Sequence, residues 1–157
     1  MTVTLVPCSV ATARAVLAGD LTGLAGLTAG RGWPHADTVD ALRPYAEYGS
    51  DDVPGPFLVV LGTGEVVGDC GWYGPPGADG EVEIGYGLAA PYRGRGIGTD
   101  AVTALLAWVT AQPGVRRVVA ETDATNTASR RLLERLGCAL AETGETTVRY
   151  AIDAGAI

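Results

Sequence analysis

The most informative stretch of the sequence is IGYGLAAPYRGRGIGTDAV, residues 84–102. It predicts a strand, then a loop dense in glycine and arginine, then a helix from about Thr99. Glycine lets the backbone N–H groups of such a loop face a ligand closely, and the start of the helix adds unpaired N–H donors and a partial positive charge. With the full charges of Arg93 and Arg95, the stretch therefore predicts a cradle for a pyrophosphate.

The spacing of the glycines separates this loop from other glycine-rich phosphate sites. Dinucleotide-binding folds require G-x-G-x-x-G, whereas the glycines here stand at 94, 96 and 98. The acidic residue that such folds carry about 20 positions later would be Glu121, on the next predicted strand, which is an imperfect match. A nucleotide-binding oxidoreductase is therefore disfavoured, and a plain glycine-rich turn remains the alternative.

Hydrophobic periodicity on both sides of the loop predicts the element order βααβββαβαββ. Ser9 and Asp37 are expected to cap the first two helices, which run to about Ala18 and Tyr48. Strand–helix–strand crossovers imply some parallel pairing, and hairpins imply antiparallel pairing. We expect one α/β domain over residues 1–157, with a mixed, mostly antiparallel sheet of about seven strands and about four helices. The other helices are expected at 99–111 and 126–137, and the strands at 2–7, 56–62, 65–73, 81–88, 116–122, 138–142 and 146–152.

The chain is acidic, with a formal net charge of -7, which argues against nucleic-acid and anionic-membrane partners. It contains no lysine, which excludes a P-loop lysine and Schiff-base chemistry. Seven of the 11 basic residues, all arginine, fall between Arg93 and Arg135. This distribution predicts a local anionic ligand and a different, cationic second ligand.

The three cysteines, Cys8, Cys70 and Cys138, and the single histidine, His35, lack the spacing of a metal site, so no metal is expected. Their number and placement fit a reducing compartment and apolar filling roles. The first residues lack the pattern of a signal peptide, and no apolar run is long enough for a membrane span. We expect a cytoplasmic protein.

The motif Arg93-Gly94-Arg95-Gly96-Ile97-Gly98 resembles the Arg/Gln-x-x-Gly-x-Gly/Ala signature of the GCN5-related N-acetyltransferases, the GNAT superfamily. The preceding EIGYGL and the following NTASRRLLERLGC are similar to the branch of ribosomal-protein alanine acetyltransferases, the RimJ/RimL-like branch. The resemblance is strong over residues 57–140. It implies a GNAT fold, an acetyl-CoA cofactor, and a sheet splayed open between the strands at 81–88 and 116–122, the fourth and fifth.

The resemblance also implies which residues hold the cofactor. The pantetheine arm would pair with the backbone around Leu88 and Ala90, and Asn126 would contact its end near the thioester. Arg131 would reach a nucleotide phosphate, with a solvated helix face as the alternative. The complete set of expected cofactor contacts is Leu88, Ala89, Ala90, Arg93, Gly94, Arg95, Gly96, Ile97, Gly98, Thr99, Asn126, Ser129 and Arg131.

Two positions depart from the family pattern. Cys138 stands where the branch usually has phenylalanine, and Leu133 stands where many members carry a tyrosine acid. Leucine cannot protonate a leaving thiolate. Ser129 matches the branch's serine, and its hydroxyl would orient or protonate the thiolate, or else form a hydrogen bond within its own helix.

An amine must lose a proton before it attacks a thioester. Glu83 is the candidate base, acting through water, with a solvated or ion-paired carboxylate as the alternative. Glu81 lies on the same strand face but is expected to be the more solvated of the two. The expected catalytic residues are thus Glu83, Ser129 and Asn126, with direct transfer and no covalent intermediate.

The acceptor pocket is expected to come from the N-terminal half of the chain. The acceptor would be a small cationic amine or a peptide N-terminus, and the protein a possible homodimer. Other interpretations are a transferase of a different acyl group and an acyl-CoA-binding module without turnover, which Leu133 supports. The candidate contacts to the acceptor are Trp33, His35, Tyr45, Trp72, Tyr73 and Glu83.

Overall fold

A computed structural model of the protein describes residues 2–157. Contacts divide the chain into two compact units. The first unit holds the residues up to Gly71 together with Tyr86–Ala101, and the second holds Trp72–Gly85 together with Val102–Ile157. The single domain expected over residues 1–157 stays a prediction.

The first unit is built on three antiparallel neighbours, β1 (Val3–Pro7), β3 (Phe57–Leu61) and β4 (Glu65–Trp72, whose last residue belongs to the second unit). They lie in the order β1-β3-β4, and the two-residue strand β2 (Thr28–Ala29) pairs in parallel with β4. All five residues of β3 are buried. A central strand that is covered on both faces has a continuous apolar run, which explains the sequence FLVVL.

Two helices complete this part of the chain, α1 (Val10–Leu17) and α2 (Ala36–Tyr48), and they pack against each other. Ser9 caps α1 as predicted, since its hydroxyl accepts from the Thr12 N–H at 3.0 Å. The predicted cap of α2 at Asp37 is wrong. The helix begins earlier because the His35 backbone N–H donates to Thr38 Oγ1 at 3.3 Å, which makes His35 the cap.

The second unit contains β6 (Arg117–Asp123), β7 (Ala139–Thr143), β8 (Thr147–Asp153) and the first residues of β5 (Glu81–Leu88). The order is β5-β6-β8-β7. β5 pairs with β6 in parallel, and this register ends where Ile84 meets Ala120. β6 pairs with β8 in antiparallel along its whole length, from Arg117 to Asp123, so its later residues keep the β8 pairing after the β5 pairing has ended. The pairing therefore stops where the divergence of the two strands is expected.

The remaining helices are α3 (Ile97–Thr110) and α4 (Thr127–Arg135). α3 starts two residues before the expected Thr99, because the Asp100 N–H donates to the Gly96 carbonyl at 3.1 Å and draws Ile97 into the first turn. α4 ends before Gly137, which has φ +91° and is the predicted stop.

The predicted fold class is confirmed. The described residues form a mixed, mostly antiparallel α/β arrangement with eight strands and four α-helices. The additional strand is β2, which lies in the stretch expected to be a glycine-rich connection. No helix within residues 2–157 combines the length and the apolar character needed to cross a membrane.

One carboxylate lies inside the first unit. Asp69 on β4 is only 4% exposed, and its Oδ2 accepts hydrogen bonds from Trp33 Nε1 at 3.1 Å and from Thr38 Oγ1 at 2.7 Å. Burial raises the pKa of Asp69, while the hydrogen bonds from Thr38 and Trp33 and the charge of His35 act against it. Asp69 therefore ties the segment before α2, and α2 itself, to the sheet.

The sign of the Asp69 contribution to stability follows from the raised pKa. The contribution is fully present below the unfolded-state value and is lost as the pH rises through the folded-state value. We expect Asp69→Asn, which keeps an acceptor oxygen without the charge, to match or exceed the wild-type free energy of unfolding at about pH 8. This advantage should shrink toward about pH 4. Urea denaturation at both pH values measures it.

The matched control is Asp69→Ala. It leaves the Trp33 N–H and the Thr38 hydroxyl buried without an acceptor, so we expect a loss of about 2 kcal/mol or more at either pH. Equal destabilisation by Asp69→Asn and Asp69→Ala would show that the charge itself is needed.

Candidate functional site

The loop that joins β5 to α3 presents open backbone in the first unit. Gly94 and Gly96 have φ values of +74° and +81°, and no atom lies within 4 Å of the position that a Cβ would occupy at either residue. Residues other than glycine rarely adopt this conformation. The sequence therefore needs glycine at both positions, and their backbone is accessible to a ligand at the start of α3.

The two arginines of this loop are exposed, and each has a defined contact. Arg93 Nε donates to the Leu88 carbonyl at 3.1 Å. The Arg95 guanidinium lies over the ring of Tyr92, 5.8 Å from its centroid. Tyr92 is itself buried, and its hydroxyl donates to Glu65 Oε2 at 3.1 Å and accepts from the Arg31 N–H at 3.0 Å. Both positive charges are thereby placed beside the glycines.

The residue after β5, Ala89, is fixed in position by burial and by a hydrogen bond to β4. Ala89 is fully buried, and its N–H donates to the Val67 carbonyl of β4 at 2.8 Å. Ile97 is buried at the start of α3, where Gly98 and Thr99 are half-buried. Leu88 and Ala90, the residues expected to pair with a pantetheine arm, flank Ala89. Their pairing with a ligand stays a prediction.

The candidate base lies in the second unit, within a group of charged side chains. Glu83 Oε1 is 3.3 Å from Arg149 Nη1, so the ion-paired alternative describes its contacts. The Glu83 side chain is 35% exposed and that of Glu81 is 36% exposed. The two side chains are almost equally exposed, so solvent exposure does not separate Glu83 from Glu81, and the choice of Glu83 as the base stays a prediction. Arg149 contacts both carboxylates because its strand lies two positions away in the same sheet.

The other two expected catalytic residues lie at the start of α4, also in the second unit. Asn126 caps this helix, since its Oδ1 accepts from the Ser129 N–H at 3.1 Å. The cap fixes the orientation of the Asn126 amide and of the first helical turn. Ser129 is half-buried and Arg131 is exposed. Leu133 is buried and packs in the core.

Three of the expected acceptor contacts belong to the first unit. Trp33 is 3% exposed and bonded to Asp69. Tyr45 is half-buried, with its hydroxyl 3.5 Å from Asp51 Oδ1. The imidazole of His35 lies beside the backbone of Gly87, and its Nε2 atom is buried with no hydrogen-bond partner among the described residues.

The other expected acceptor contacts belong to the second unit. Trp72 meets Trp108 of α3 edge-to-face, with ring centroids 4.9 Å apart and an interplanar angle of 71°. Tyr73 is 72% exposed, and its N–H donates to the Glu83 carbonyl at 2.9 Å. Trp72, Tyr73 and Glu83 thus lie together at the adjoining ends of β4 and β5. The roles of all these residues in binding an acceptor stay predictions.

The cysteines are poorly suited to covalent catalysis. Burial, with the charge of Asp69 as a further cause, raises the pKa of the Cys8 and Cys70 thiols to about 12. Burial also raises the pKa of Cys138. A thiol needs a lowered pKa to act as a nucleophile near neutral pH. This chemistry favours direct transfer.

Sequence reasoning missed two charged residues near the candidate site. Asp69 was visible as the one carboxylate in the interior of the mostly apolar strand EVVGDCGW, whose other carboxylate, Glu65, is its first residue; this pattern indicates a buried polar contact. Arg149 carried a weaker signal, as the single charged residue within TVRYAI. Its partners come from three other strands, so only the strand order could reveal them.

Comparison with known proteins gives solved structures that share this fold. RimJ of Mycobacterium smegmatis, solved in complex with CoA-disulfide, superposes with a TM-score of 0.67 at 25% identity, covering 98% of this chain and 82% of RimJ. A mutant form of spermidine N-acetyltransferase SpeG of Vibrio cholerae gives a TM-score of 0.71 at 13% identity, covering 98% of this chain and 94% of SpeG. At 13% identity, the likeness to SpeG concerns the fold alone.

A curated relative is the uncharacterized N-acetyltransferase YjdG of Bacillus subtilis (strain 168). It is 28% identical over 110 residues, which cover 67% of this chain. The chain spans 66% of the length of YjdG, just under two thirds. The family model described as an acetyltransferase (GNAT) domain matches residues 11–139, which is most of the chain and includes the loop and the start of α4. The chain therefore belongs to the GNAT acetyltransferase family, as the Arg93–Gly98 motif predicted.

Proposed function

We propose that this protein is an N-acetyltransferase that moves an acetyl group from acetyl-CoA to a primary amine. The observation that carries the proposal is the open backbone at Gly94 and Gly96, directly before the start of α3. Accessible backbone N–H groups and two exposed arginines suit the pyrophosphate of the donor. Acetyl-CoA contains that group, and the family to which the chain belongs uses it.

The transfer is direct. The amine nitrogen attacks the thioester carbon, the C–N bond forms, and the C–S bond breaks to release the thiolate of CoA. Glu83 accepts the proton of the amine through a water molecule. Ser129 orients or protonates the thiolate, Asn126 binds the end of pantetheine, and a backbone N–H near Leu88 stabilises the acetyl oxygen as it gains charge. Because burial raises the pKa of the Cys8 and Cys70 thiols, neither thiol competes with the amine as a nucleophile.

The acceptor is a small cationic amine or a peptide N-terminus. Four carboxylates surround Arg149 in the second unit, and one of them, Glu81, also contacts Arg117, so carboxylates outnumber guanidinium groups in this cluster. Such a cluster attracts a protonated amine before it is deprotonated. SpeG is named for spermidine, a small polyamine, and RimJ belongs to the ribosomal-protein branch that the sequence resembles.

A second candidate function is an acyl-CoA-binding module without turnover. Leu133 favours it, because a side chain that is 1% exposed and apolar cannot act as an acid. The alternative donor, a different acyl-CoA, is compatible with the same loop.

Replacing Gly96 tests the donor site. We expect Gly96→Ala to raise the Kd for acetyl-CoA about tenfold or more, because the added Cβ strains a positive φ and occupies the open side of the loop. Titration calorimetry measures the Kd. Gly64→Ala is the matched control, since Gly64 has φ +87° and equal space but lies in the β3–β4 turn. An equal rise in Kd for both variants would contradict the assignment.

Replacing Glu83 tests the base. We expect Glu83→Gln to lower kcat/KM by about two to four orders of magnitude, because the amide cannot accept the proton. Acetyl-CoA binding should be unchanged. Glu81→Gln, on the same face and equally exposed, is the control and should retain most activity. A binding module would be indifferent to both changes, and a larger loss with Glu81→Gln would move the base to that residue.

Thiol release from acetyl-CoA, measured with a panel of amines, tests the acceptor class. The panel contains polyamines, aminoglycosides, amino acids, and alanyl and seryl peptides. We expect turnover with a cationic amine or a peptide N-terminus, and a KM that rises with salt because charge screening weakens the attraction. Tight acetyl-CoA binding without turnover on any amine would favour the binding module. Failure to bind acetyl-CoA would contradict both functions.

A further inference from the structure

Arg149 lies at the centre of four carboxylates that come from three strands. Its Nη1 atom is 3.3 Å from Glu83 Oε1 and 3.1 Å from Glu121 Oε2, so one nitrogen contacts both. Its Nη2 atom is 3.9 Å from Glu81 Oε1, and its Nε atom is 3.9 Å from Glu142 Oε2. The side chain of Arg149 is 27% exposed, less than that of any of its partners.

The strand register explains why this guanidinium has so many partners. Arg149 on β8 is directly opposite Glu121 on β6 and Glu142 on β7. Residues that face each other across neighbouring strands project from the same side of the sheet. The two flanking carboxylates thus hold the arginine from both sides, and the length of its side chain lets it reach β5, where Glu83 lies.

The carboxylates that surround Arg149 carry four negative charges against its one positive charge. Without Arg149, four carboxylates would face one another at short range, which is electrostatically unfavourable. Burial acts to lower the pKa of Arg149, but the carboxylates of Glu83 and Glu121 outweigh it and raise that pKa. The arginine therefore stays charged over any pH range in which the enzyme is assayed.

We propose that Arg149 is a positioning residue for the base: its guanidinium holds the Glu83 carboxylate in place by direct contact, and its positive charge influences how kcat/KM depends on pH. Glu121 and Glu142 serve to fix Arg149. The inference rests on the proposed function, because it assigns Arg149 a role through Glu83. Arg149 itself need not touch the substrate.

Other ionisable groups also face Glu83 and enter any pH dependence. On β5 the neighbour is Glu81, which Arg117 of β6 contacts at 4.0 Å. Asp153 of β8 is opposite Arg117. Tyr73 is bonded through its backbone to the Glu83 carbonyl. Among the described residues, Glu121, Glu142 and Arg149 belong to the same group, and the ion pair of Glu83 is with Arg149.

Replacing Arg149 tests the inference through the pH profile of kcat/KM. In Arg149→Met the base loses its cation and keeps its acidic neighbours, so the charged form of the carboxylate becomes less favourable. We expect the acid limb of the profile to move to higher pH by about one unit. At pH values below the limb, kcat/KM should fall roughly tenfold, and at higher pH it should return to the wild-type value. Arg149→Lys, which keeps the charge, should leave the limb near its wild-type position.

Arg117→Met is the matched control, because it removes one positive charge from the same face without a contact to Glu83. Its acid limb should move much less than that of Arg149→Met. An unmoved limb in folded Arg149→Met, or equal shifts in both variants, would overturn the inference. If Arg149→Met does not fold, as judged by circular dichroism, Arg149→Gln replaces it with the same expectations.

Glu83→Gln, assayed in parallel, separates the inference from the function on which it rests. Full activity in Glu83→Gln means that the proposed base is wrong, and the role of Arg149 fails with it. If Glu83→Gln loses its activity but the acid limb of Arg149→Met does not move, Glu83 remains the proposed base. The proposal that Arg149 positions it is then wrong. The inference is supported only if Glu83→Gln loses its activity and the acid limb of Arg149→Met moves to higher pH.

Discussion

The passage from β5 into α3 depends on backbone conformations that only glycine adopts without strain. Gly94 and Gly96 both have positive φ, and this geometry turns the chain so that α3 begins at Ile97 directly after open backbone. The burial of Ala89 and Ile97 anchors the loop at both ends. The loop that contains both glycines is therefore held at each end by a buried side chain.

Two charged residues inside mostly apolar strands have different consequences. Asp69 has lost its contact with water and is stabilised by two neutral donors, so its raised pKa is a cost of the fold that the hydrogen bonds offset in part. Arg149 keeps some solvent contact and is surrounded by opposite charges. The first residue organises the segment before α2, whereas the second organises the carboxylates that include the proposed base.

Family membership and the chemistry of the side chains support one another. The family model includes the glycine loop and the start of α4, where Asn126 forms a helix cap. The raised pKa values of the buried Cys8 and Cys70 thiols disfavour a covalent intermediate on either residue, which is consistent with the proposed direct transfer. Leu133 is buried and apolar and cannot act as an acid, so the proposed mechanism relies on Ser129 or water to protonate the thiolate.

The sequence by itself determined the order of the elements, the glycine–arginine loop and the family, because these depend on local patterns: periodicity, glycine spacing and cap residues such as Ser9. It placed the start of α3 two residues late, because helix ends fray and the first turn is closed by one hydrogen bond, from the Asp100 N–H to the Gly96 carbonyl. It missed β2, because that two-residue strand depends on pairing with the distant strand β4. Only the tertiary structure brought Arg149 to Glu83, residues that are 66 positions apart along the chain. Strand order decides such contacts, and strand order is set by the packing of the whole sheet, which no local pattern encodes.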